Sequence, residues 1–258
     1  MSPRTSRLLL TALGTVLMAP TLAGETSAQR VSAFAALPNW TGLWMDESGK
    51  ALLLNDFTKF RPPALFGKPP YNAEFEKKLG NIPPATDQPP TAKTCQPVGF
   101  PYVMAAPVPD VLFELLVTPE QTLLIATDET ARHIYTDGRS HPEPEDLWPT
   151  AVGDSIGHWE GGTLVIDTIA RKAGPVVLWP GAAELSDQAH FTERLHLVDA
   201  NTMQDDMTID DPQRFSHPWQ VSMRYLRVTD FDRMVSIDCA ENDRNPVVNG
   251  RFVIAPPK

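Results

Sequence analysis

The sequence has little positive charge and lacks the patterns of nucleotide-cofactor and nucleic-acid-binding proteins. Its 22 Lys and Arg are outnumbered by 32 Asp and Glu, which leaves a formal charge of -10 at pH 7. A field of that sign argues against nucleic acid and anionic membranes as partners. No glycine-rich phosphate loop or dinucleotide fingerprint occurs in the 258 residues. We therefore expect neither a bound cofactor nor a nucleic-acid partner.

Long apolar runs are missing too. Beyond the N-terminus, no stretch approaches the roughly 18 apolar residues of a membrane-spanning helix, so we expect no stable membrane insertion. At the N-terminus, Arg4 and Arg7 precede an interrupted apolar stretch, residues 8–22, and small residues follow up to Ala28. This order is typical of a secretory signal peptide, here residues 1–28. It predicts a periplasmic or secreted protein that is cleaved near Ala28.

Cysteine is limited to Cys95 and Cys239, and neither belongs to a CxxC motif. A redox dithiol site is therefore not expected. In an exported chain an isolated cysteine pair is most simply a disulfide. A bond between Cys95 and Cys239 would close the long loop between them and stabilise the fold by about 4–5 kcal/mol. Two buried thiols are the alternative.

Proline is abundant, with 26 residues, and its distribution divides the chain into two parts. A dense cluster at 61–109 removes backbone donors and blocks long helices. Residues 29–110 are therefore predicted to be an extended segment along the body, with one short helix near 72–79. Residues 111–258 contain short apolar runs separated by turn signals. The two parts are expected to form one domain.

About nine strands are predicted within residues 111–258. Hairpin-length loops join nearly all of them, and no helical pattern intervenes. Such spacing indicates an all-β antiparallel meander, and so many strands usually close to remove their free edges. We predict a lipocalin-like barrel, with a β-sandwich as the alternative. The predicted strands cover residues 111–117, 122–127, 133–136, 155–160, 163–168, 191–198, 202–209, 219–228 and 234–240.

Alternation along three of these strands places polar residues on an apolar face. The polar members are Glu193, Asp205 and Tyr225. The apolar members are Phe191, Leu195, Leu197, Met203, Met207, Ile209, Trp219, Val221 and Met223. A buried carboxylate is costly unless it is paired or used, so this face predicts a pocket for an apolar molecule with a few polar groups. Two alternatives for Glu193 stay open, namely an outward turn of the strand and a structural bridge to an arginine. Tyr225 could simply pack in the core.

The segment RHIYTDGRSHPEPEDLWP, residues 132–149, is dense in ionisable groups. His133, Tyr135 and Asp137 alternate onto one face, and a histidine beside a carboxylate is a common arrangement for proton transfer near neutral pH. Arg132 falls on the opposite face. The alternative is a type I′ turn at Asp137-Gly138, in which Arg139 only pairs with Asp137.

Two other kinds of site have weaker signals. His133, His141 and His158 would have to meet across adjacent strands to bind a metal, since no HxH or HExxH spacing is present. The GDSIG string at 153–157 has the spacing of a serine nucleophile elbow, but that elbow requires a strand-turn-helix context. Ser155 instead begins a predicted β-hairpin, so we do not expect it to be a nucleophile.

Six segments resemble, in the same order, motifs of a widespread and largely uncharacterised family of exported bacterial proteins. They are PNWTGLW (38–44), CQPVGFP (95–101), RHIYTDGRSHP (132–142), GDSIGHWEGGTLVIDT (153–168), HFTERLHLVDANTMQDDMTIDDPQRFSHPW (190–219) and CAENDR (239–244). The resemblance implies a lipocalin-like β-barrel and no particular activity. Gly162 stands where the family usually has Asp, and residues 169–190 depart from its pattern, so the resemblance implies no substrate.

Three functions fit these features. The first is a cofactor-free lyase, dehydratase or isomerase that acts on a hydrophobic small molecule, for example an aromatic or a terpenoid one. Glu193 or His133, the latter beside Asp137, would be the base, and Tyr225 or Tyr135 the acid or oxyanion donor. The second is a periplasmic carrier with the same barrel, and the third is a metal-dependent hydrolase.

The binding residues follow from the first function. Arg139 would orient a polar group of the substrate, and Trp159 and Trp219 would form walls of the pocket. Met223 and Asp205 would complete the lining. The oligomeric state is left open by the sequence.

Overall fold

The computed structural model describes residues 26–49, 58, 62–79, 99–105, 112–176, 183–230, 233–234, 247–248 and 251–252. Three α-helices lie wholly within these ranges, α1 (Ser27–Ala35), α2 (Ala73–Leu79) and α3 (Tyr102–Ala105). Residues 47–49 are helical as well. Two 3₁₀ turns cover Ala64–Phe66 and Pro144–Asp146. None of the described helices has the length and hydropathy that a membrane crossing requires.

Nine of the described strands close into one barrel, in the order β1-β11-β10-β9-β6-β5-β4-β3-β2. The barrel strands are β1 (Leu43–Asp46), β2 (Phe113–Val117), β3 (Gln121–Ala126), β4 (Ala131–Tyr135), β5 (Asp154–Glu160), β6 (Thr163–Ile169), β9 (His190–Asp199), β10 (Thr202–Asp210) and β11 (Trp219–Arg227). Two small ribbons pair β7 (Gly174–Pro175) with β8 (Glu184–Leu185), and β12 (Val247–Val248) with β13 (Arg251–Phe252). The predicted all-β, lipocalin-like barrel is therefore confirmed.

One strand pair departs from the predicted antiparallel meander. β4 and β5 run parallel, with Ile134 opposite Ser155 and Tyr135 opposite Ile156. A parallel pair cannot be joined by a tight turn and needs a long crossover. Residues 136–153 supply that crossover, which is the segment that the sequence analysis interpreted as a turn with a polar extension. The barrel is thus mixed rather than purely antiparallel.

The ninth barrel strand comes from the N-terminal part of the chain. β1 pairs with β11 on one side and with β2 on the other, and so closes the barrel. All of the predicted last strand, 234–240, except its first residue lies outside the described residues. Cys95 and Cys239, the predicted disulfide pair, also lie outside them. The N-terminal part, residues 29–110, therefore contributes a barrel strand, which the prediction of an extended segment did not include.

Strict alternation builds the core. Along β9, Phe191, Glu193 and Leu195 are buried while Thr192 and Arg194 are exposed. The same period of two holds along β10 and β11, as expected for strands with one face to the barrel interior. The predicted helix near 72–79 is found as α2, which buries only Phe75.

The helix α1 lies over the β2–β3 turn without burying any of its residues. Thr26 caps it with a reciprocal hydrogen-bonding pattern to Gln29. Arg30 Nε donates to Glu120 Oε2 at 3.0 Å, and Ser27 Oγ donates to Glu120 Oε1 at 3.2 Å. The predicted cleavage near Ala28 would fall within the first turn of α1. Residues 1–25 lie outside the described part of the chain.

Candidate functional site

A buried arginine–glutamate pair lies at the centre of the barrel. Arg132 projects inward from β4 and Glu193 inward from β9, and both side chains are almost wholly removed from solvent. Arg132 Nη1 donates to Glu193 Oε1 at 3.0 Å, and Nη2 donates to Glu193 Oε2. Such a bidentate pair satisfies both carboxylate oxygens at once. Of the alternatives for Glu193, the arginine bridge is the one that forms.

The remaining donors of Arg132 are also satisfied. Its Nε donates to Ser155 Oγ at 3.1 Å, and its Nη2 donates to Thr168 Oγ1 at 2.8 Å. The two hydroxyl oxygens are 2.9 Å apart. The guanidinium carbon lies 3.7 Å from the centre of the Phe100 ring, which favours the cation further. The hydrogen bonds therefore fix the position of the guanidinium, and that of the Glu193 carboxylate with it.

A second carboxyl, Asp205, lies beside this pair without a cation of its own. On β10 it is opposite Leu195, one inward position along β9 from Glu193. The residue is fully buried, and neither side-chain oxygen has a hydrogen-bond partner among the described residues. Burial first, and then the negative charge of Glu193, raise the pKa of Asp205 well above its ordinary value. An un-ionised Asp205 can itself donate a hydrogen bond towards Glu193, which removes the cost of two buried negative charges.

Tyr225 and Asp46 extend the polar centre towards β1. The two residues are cross-strand partners, and both are buried. Burial, together with the charges of Asp205, Asp46 and Glu193, raises the pKa of Tyr225 well above its ordinary value, so its hydroxyl keeps its proton. Burial also raises the pKa of Asp46 to about 6, despite hydrogen bonds from Ser48 that act to lower it. The Tyr225 hydroxyl lies 3.7 Å from Met223 Sδ. Beside the Arg132–Glu193 pair, the barrel interior thus holds three acids with raised pKa values, Asp205, Tyr225 and Asp46.

His133, Tyr135 and Asp137 share one face, as predicted, but that face is the outside of the barrel. His133 is exposed and stacks on Tyr135, with ring centres 6.0 Å apart. The face of β4 that points into the barrel is the opposite one, which carries Arg132. The sequence analysis assigned the wrong face to the interior because neither alternating set of β4 is purely apolar. These three residues therefore do not meet Glu193, Asp205 or Tyr225.

Arg139 is also outside the barrel and pairs with Asp137. Its Nε lies 2.9 Å from Asp137 Oδ1, and its guanidinium stacks over Tyr135 at 4.0 Å. This is the structural alternative of the sequence analysis, and Arg139 cannot orient a ligand in the interior from there. Of the remaining predicted lining residues, Trp219 and Met223 are buried inside, and Trp159 is half-buried against Trp40.

A chain of hydrogen bonds fixes the crossover segment to the outer surface of the barrel. His141 lies between two carboxylates, with Nδ1 2.5 Å from Asp154 Oδ1 and Nε2 2.8 Å from Asp167 Oδ1. His190 Nε2 lies 2.7 Å from the other oxygen, Asp167 Oδ2. This hydrogen bond, outweighing burial, raises the pKa of His190. Although burial acts in the opposite direction, hydrogen bonds from His190 and His141 lower the pKa of Asp167.

The histidines of the metal-site hypothesis do not converge. His133 lies near Gln121, His141 lies between Asp154 and Asp167, and His158 lies near Glu160. Across the described ranges, no group of three or more His, Cys, Asp and Glu side chains has an arrangement that could hold a metal ion. The metal-dependent hydrolase therefore gains no support from the described residues.

The sequence analysis missed Arg132, Ser155 and Thr168 in the interior, and Asp154, Asp167 and His190 on the outer surface. Neighbouring residues point in opposite directions along a strand, so Asp154 and Ser155 serve different clusters, as do Asp167 and Thr168. The sequence does contain these residues in short motifs: Arg132 in RHIY, Asp154 and Ser155 in GDSIG, Asp167 and Thr168 in TLVIDT, and His190 in HFTER. Assigning adjacent residues of each motif to opposite faces of the strand would have separated the inner cluster from the outer one.

Comparison of the chain with models of known protein families, and with curated protein sequences, finds no match. The resemblance to the exported barrel family therefore stays a prediction, supported by the barrel fold alone. The site is defined by its own geometry.

Proposed function

We propose that this protein is an exported barrel that handles a hydrophobic small molecule and catalyses a cofactor-free proton-transfer reaction on it, as an isomerase, dehydratase or lyase. The proposed catalytic pair is Asp205 and Glu193, with Tyr225 as a neutral hydrogen-bond donor. The barrel fold supports ligand handling, because barrels of this size commonly enclose one small ligand. The chemistry is inferred from the polar centre.

One observation carries the proposal, namely that two buried carboxyls lie in opposite electrostatic environments. Glu193 accepts two hydrogen bonds from Arg132, whereas Asp205 accepts none from any described residue. Pairs of acids whose environments differ in this way divide the acid and base roles between them. Burying a carboxyl that accepts no hydrogen bond costs free energy, and acids with strongly raised pKa values cluster at functional sites.

The proposed reaction needs no group beyond these side chains. In an isomerisation, un-ionised Asp205 would give its proton to one substrate atom while Glu193 takes a proton from another, and transfer of that proton from Glu193 to Asp205 would restore the starting state. In a dehydration, the first proton would leave with the hydroxyl group as water. Tyr225 would donate a hydrogen bond to the oxygen on which negative charge develops.

Access is the main requirement that this function places on the barrel. Arg132, Glu193, Asp205 and Tyr225 are all fully buried by packed side chains. A ligand can reach Asp205 only when some of that packing opens, as binding elements of low local stability commonly do. The functional state is therefore proposed to be a more open barrel.

We also propose that the protein is exported and that Cys95 and Cys239 form a disulfide. Export and the disulfide are supported by the N-terminal pattern of residues 1–28 and by the isolated cysteine pair. Denatured mass spectrometry of protein from the periplasm or culture medium tests both. Loss of the N-terminal residues and of two hydrogen atoms is expected, and an intact N-terminus with two free thiols would contradict them.

A non-catalytic carrier is the second candidate, and the Arg132–Glu193 bridge favours it. That bridge satisfies Glu193 completely without any ligand. The carrier and the enzyme share the barrel and differ only in what Asp205 does.

The deciding experiment follows the fate of a bound molecule. Native mass spectrometry identifies what co-purifies with the protein, and incubation of that compound in D₂O shows turnover through deuterium incorporation. The proposed enzyme incorporates deuterium, D205N binds the compound without incorporation, and D206N behaves as wild type because Asp206 is the exposed neighbour on the same strand. Binding without incorporation by wild type would show a carrier, and full activity of D205N would exclude the proposed role.

A further inference from the structure

A cavity at one end of the barrel lies beneath the N-terminal segment. Its volume is about 190 Å³. The residues that line it are Phe34, Leu37, Pro38, Asn39, Trp40, Thr41, Leu115 and Val117. Six of these eight side chains are apolar, and the two polar ones are occupied with each other, since Thr41 Oγ1 donates to Asn39 Oδ1 at 2.6 Å. We call this space the mouth cavity.

The mouth cavity adjoins the inner wall of the barrel. Leu115 belongs to the inward face of β2, is opposite Leu124 on β3, and Leu124 is opposite Arg132 on β4. These three residues form one inner row, which leads from the cavity wall to the buried guanidinium. Trp40, which lines the cavity, packs edge-to-face on Trp159 of β5, with ring centres 5.1 Å apart.

The cover of the mouth cavity is attached by few contacts. Phe34 lies near the end of α1, and Leu37 follows it in the connection to β1. The helix buries none of its residues. Glu120 ties α1 to the β2–β3 turn through Arg30, whose Nη2 lies 2.9 Å from Glu120 Oε2. Ser27, which makes the second contact, precedes the predicted cleavage near Ala28 and would be lost with the signal peptide. An element with so little buried area can move at low cost in free energy.

We propose that the mouth cavity binds a single-ring apolar molecule, with α1 as a movable cover. An enclosed apolar cavity of about 150 Å³ holds benzene. The mouth cavity is partly open to solvent, and its volume of about 190 Å³ has room for one ring with a small substituent. This inference extends the proposed function by naming a substrate class, a single-ring apolar molecule. Only the step from bound ligand to substrate of Glu193, Asp205 and Tyr225 rests on the proposed function. Binding itself does not require that Asp205 be catalytic.

The direct test is toluene binding, measured by saturation-transfer NMR and by methyl shifts of Leu115 and Val117. V117F fills the cavity from the barrel wall, and L37W fills it from the cover. Two variants are used so that the binding test can still be made if one of them does not fold. The matched control is L116F, because Leu116 is the exposed neighbour of Val117. We expect affinity to fall about tenfold or more in both filled variants, as overpacking predicts, and to stay within about twofold in L116F.

Release of toluene tests the cover. E120Q removes the charge that holds Arg30, and the dissociation rate should rise by about two- to fivefold, the range that one exposed ion pair supplies. E76Q is the control, since it breaks the Lys68–Glu76 pair on α2 instead. An unchanged release rate in E120Q would contradict a movable cover.

The two proposals fail in different ways. If wild type shows no toluene shift at saturation, or if V117F and L37W bind like wild type, the mouth cavity is not the binding site. The deuterium contrast between D205N and D206N would be unaffected by that result. Conversely, toluene binding that V117F abolishes, together with full activity of D205N, would retain the binding site and exclude the catalytic role.

Discussion

Arg132 Nη1 lies 3.0 Å from Glu193 Oε1, and the two residues reach each other across the interior from β4 and β9. Because both are buried, removing one charge leaves the other without a partner in a medium of low polarity. We predict that R132M destabilises the protein by about 3–5 kcal/mol. Urea denaturation monitored by tryptophan fluorescence measures this change.

The pair on the outer surface provides the matched control. Arg139 and Asp137 form a similar bidentate contact, but the Arg139 side chain is about half exposed at 51%. R139M should therefore cost about 0–1 kcal/mol. The double variant R132M/E193M should recover much of the stability that R132M loses. Equal effects of R132M and R139M would show that the buried pair does not carry the expected energy.

Asp205 makes stability depend on pH. Its pKa is raised in the folded protein, so the folded state holds a proton that the unfolded chain releases above about pH 4. Between about pH 4 and the pKa of Asp205 in the folded protein, the free energy of unfolding of the wild type falls by about 1.4 kcal/mol per pH unit because of Asp205. D205N removes this loss, so its stability relative to wild type should rise with pH across that window.

D206N controls for the charge change of D205N, because Asp206 is exposed. D206N makes the same change of charge at an exposed position of the same strand, so the D205N curve is compared with it at each pH. Chemical denaturation at several pH values gives both curves. A flat curve for D205N would mean that Asp205 is ionised in the folded protein.

Asp46 should titrate near pH 6. Burial raises its pKa to about 6, so between the ordinary value near 4 and pH 6 the folded state again binds the extra proton. The stability difference between D46N and wild type should therefore grow over that range and level off above it. Carboxyl-carbon NMR of Asp46 measures the midpoint directly, and a midpoint near 4 would contradict the account.

The outer cluster should be most stabilising in mildly acidic solution. The raised pKa of His190 contributes stability that is complete below about pH 6.5 and is lost as pH rises through the folded value. The lowered pKa of Asp167 contributes stability above about pH 4, which is lost as pH falls through the folded value. Between these limits both partners are charged.

D167N tests this linkage, with D199N as an exposed control that lies away from both histidines. D167N should lower the pKa of His190 towards its ordinary value, while D199N leaves it unchanged. Proton NMR titration of the His190 ring measures both. A His190 pKa that is insensitive to D167N would exclude the hydrogen bond as the cause.

Much of the barrel could be predicted because its strands alternate cleanly. In β9, β10 and β11, apolar residues recur at every second position, and the inward placement of Glu193, Asp205 and Tyr225 followed directly. β1 was missed because four buried residues in a row, Leu43–Asp46, show no alternation. Its outer face is covered as well, with Leu43 and Met45 packed against Leu112.

The site was harder to predict than the fold, because its members come together only in three dimensions. Local spacing favoured His133 as the base, since it lies beside Tyr135 and Asp137 in a dense polar segment. The inward member of that segment was Arg132, whose partner is 61 residues away along the chain. Likewise, His141 could be linked to Asp167 and His190 only once the parallel pairing of β4 and β5 was known.

The central claim is that Asp205 is un-ionised in the folded protein, beside the Arg132–Glu193 pair. Infrared difference spectroscopy of the carboxyl carbonyl stretch tests it most directly, with D205N and D206N compared with wild type. The account predicts a band from an un-ionised carboxyl at neutral pH that persists in D206N and disappears in D205N. If D205N removes only a carboxylate band, Asp205 is ionised and the proposed acid–base pair does not exist.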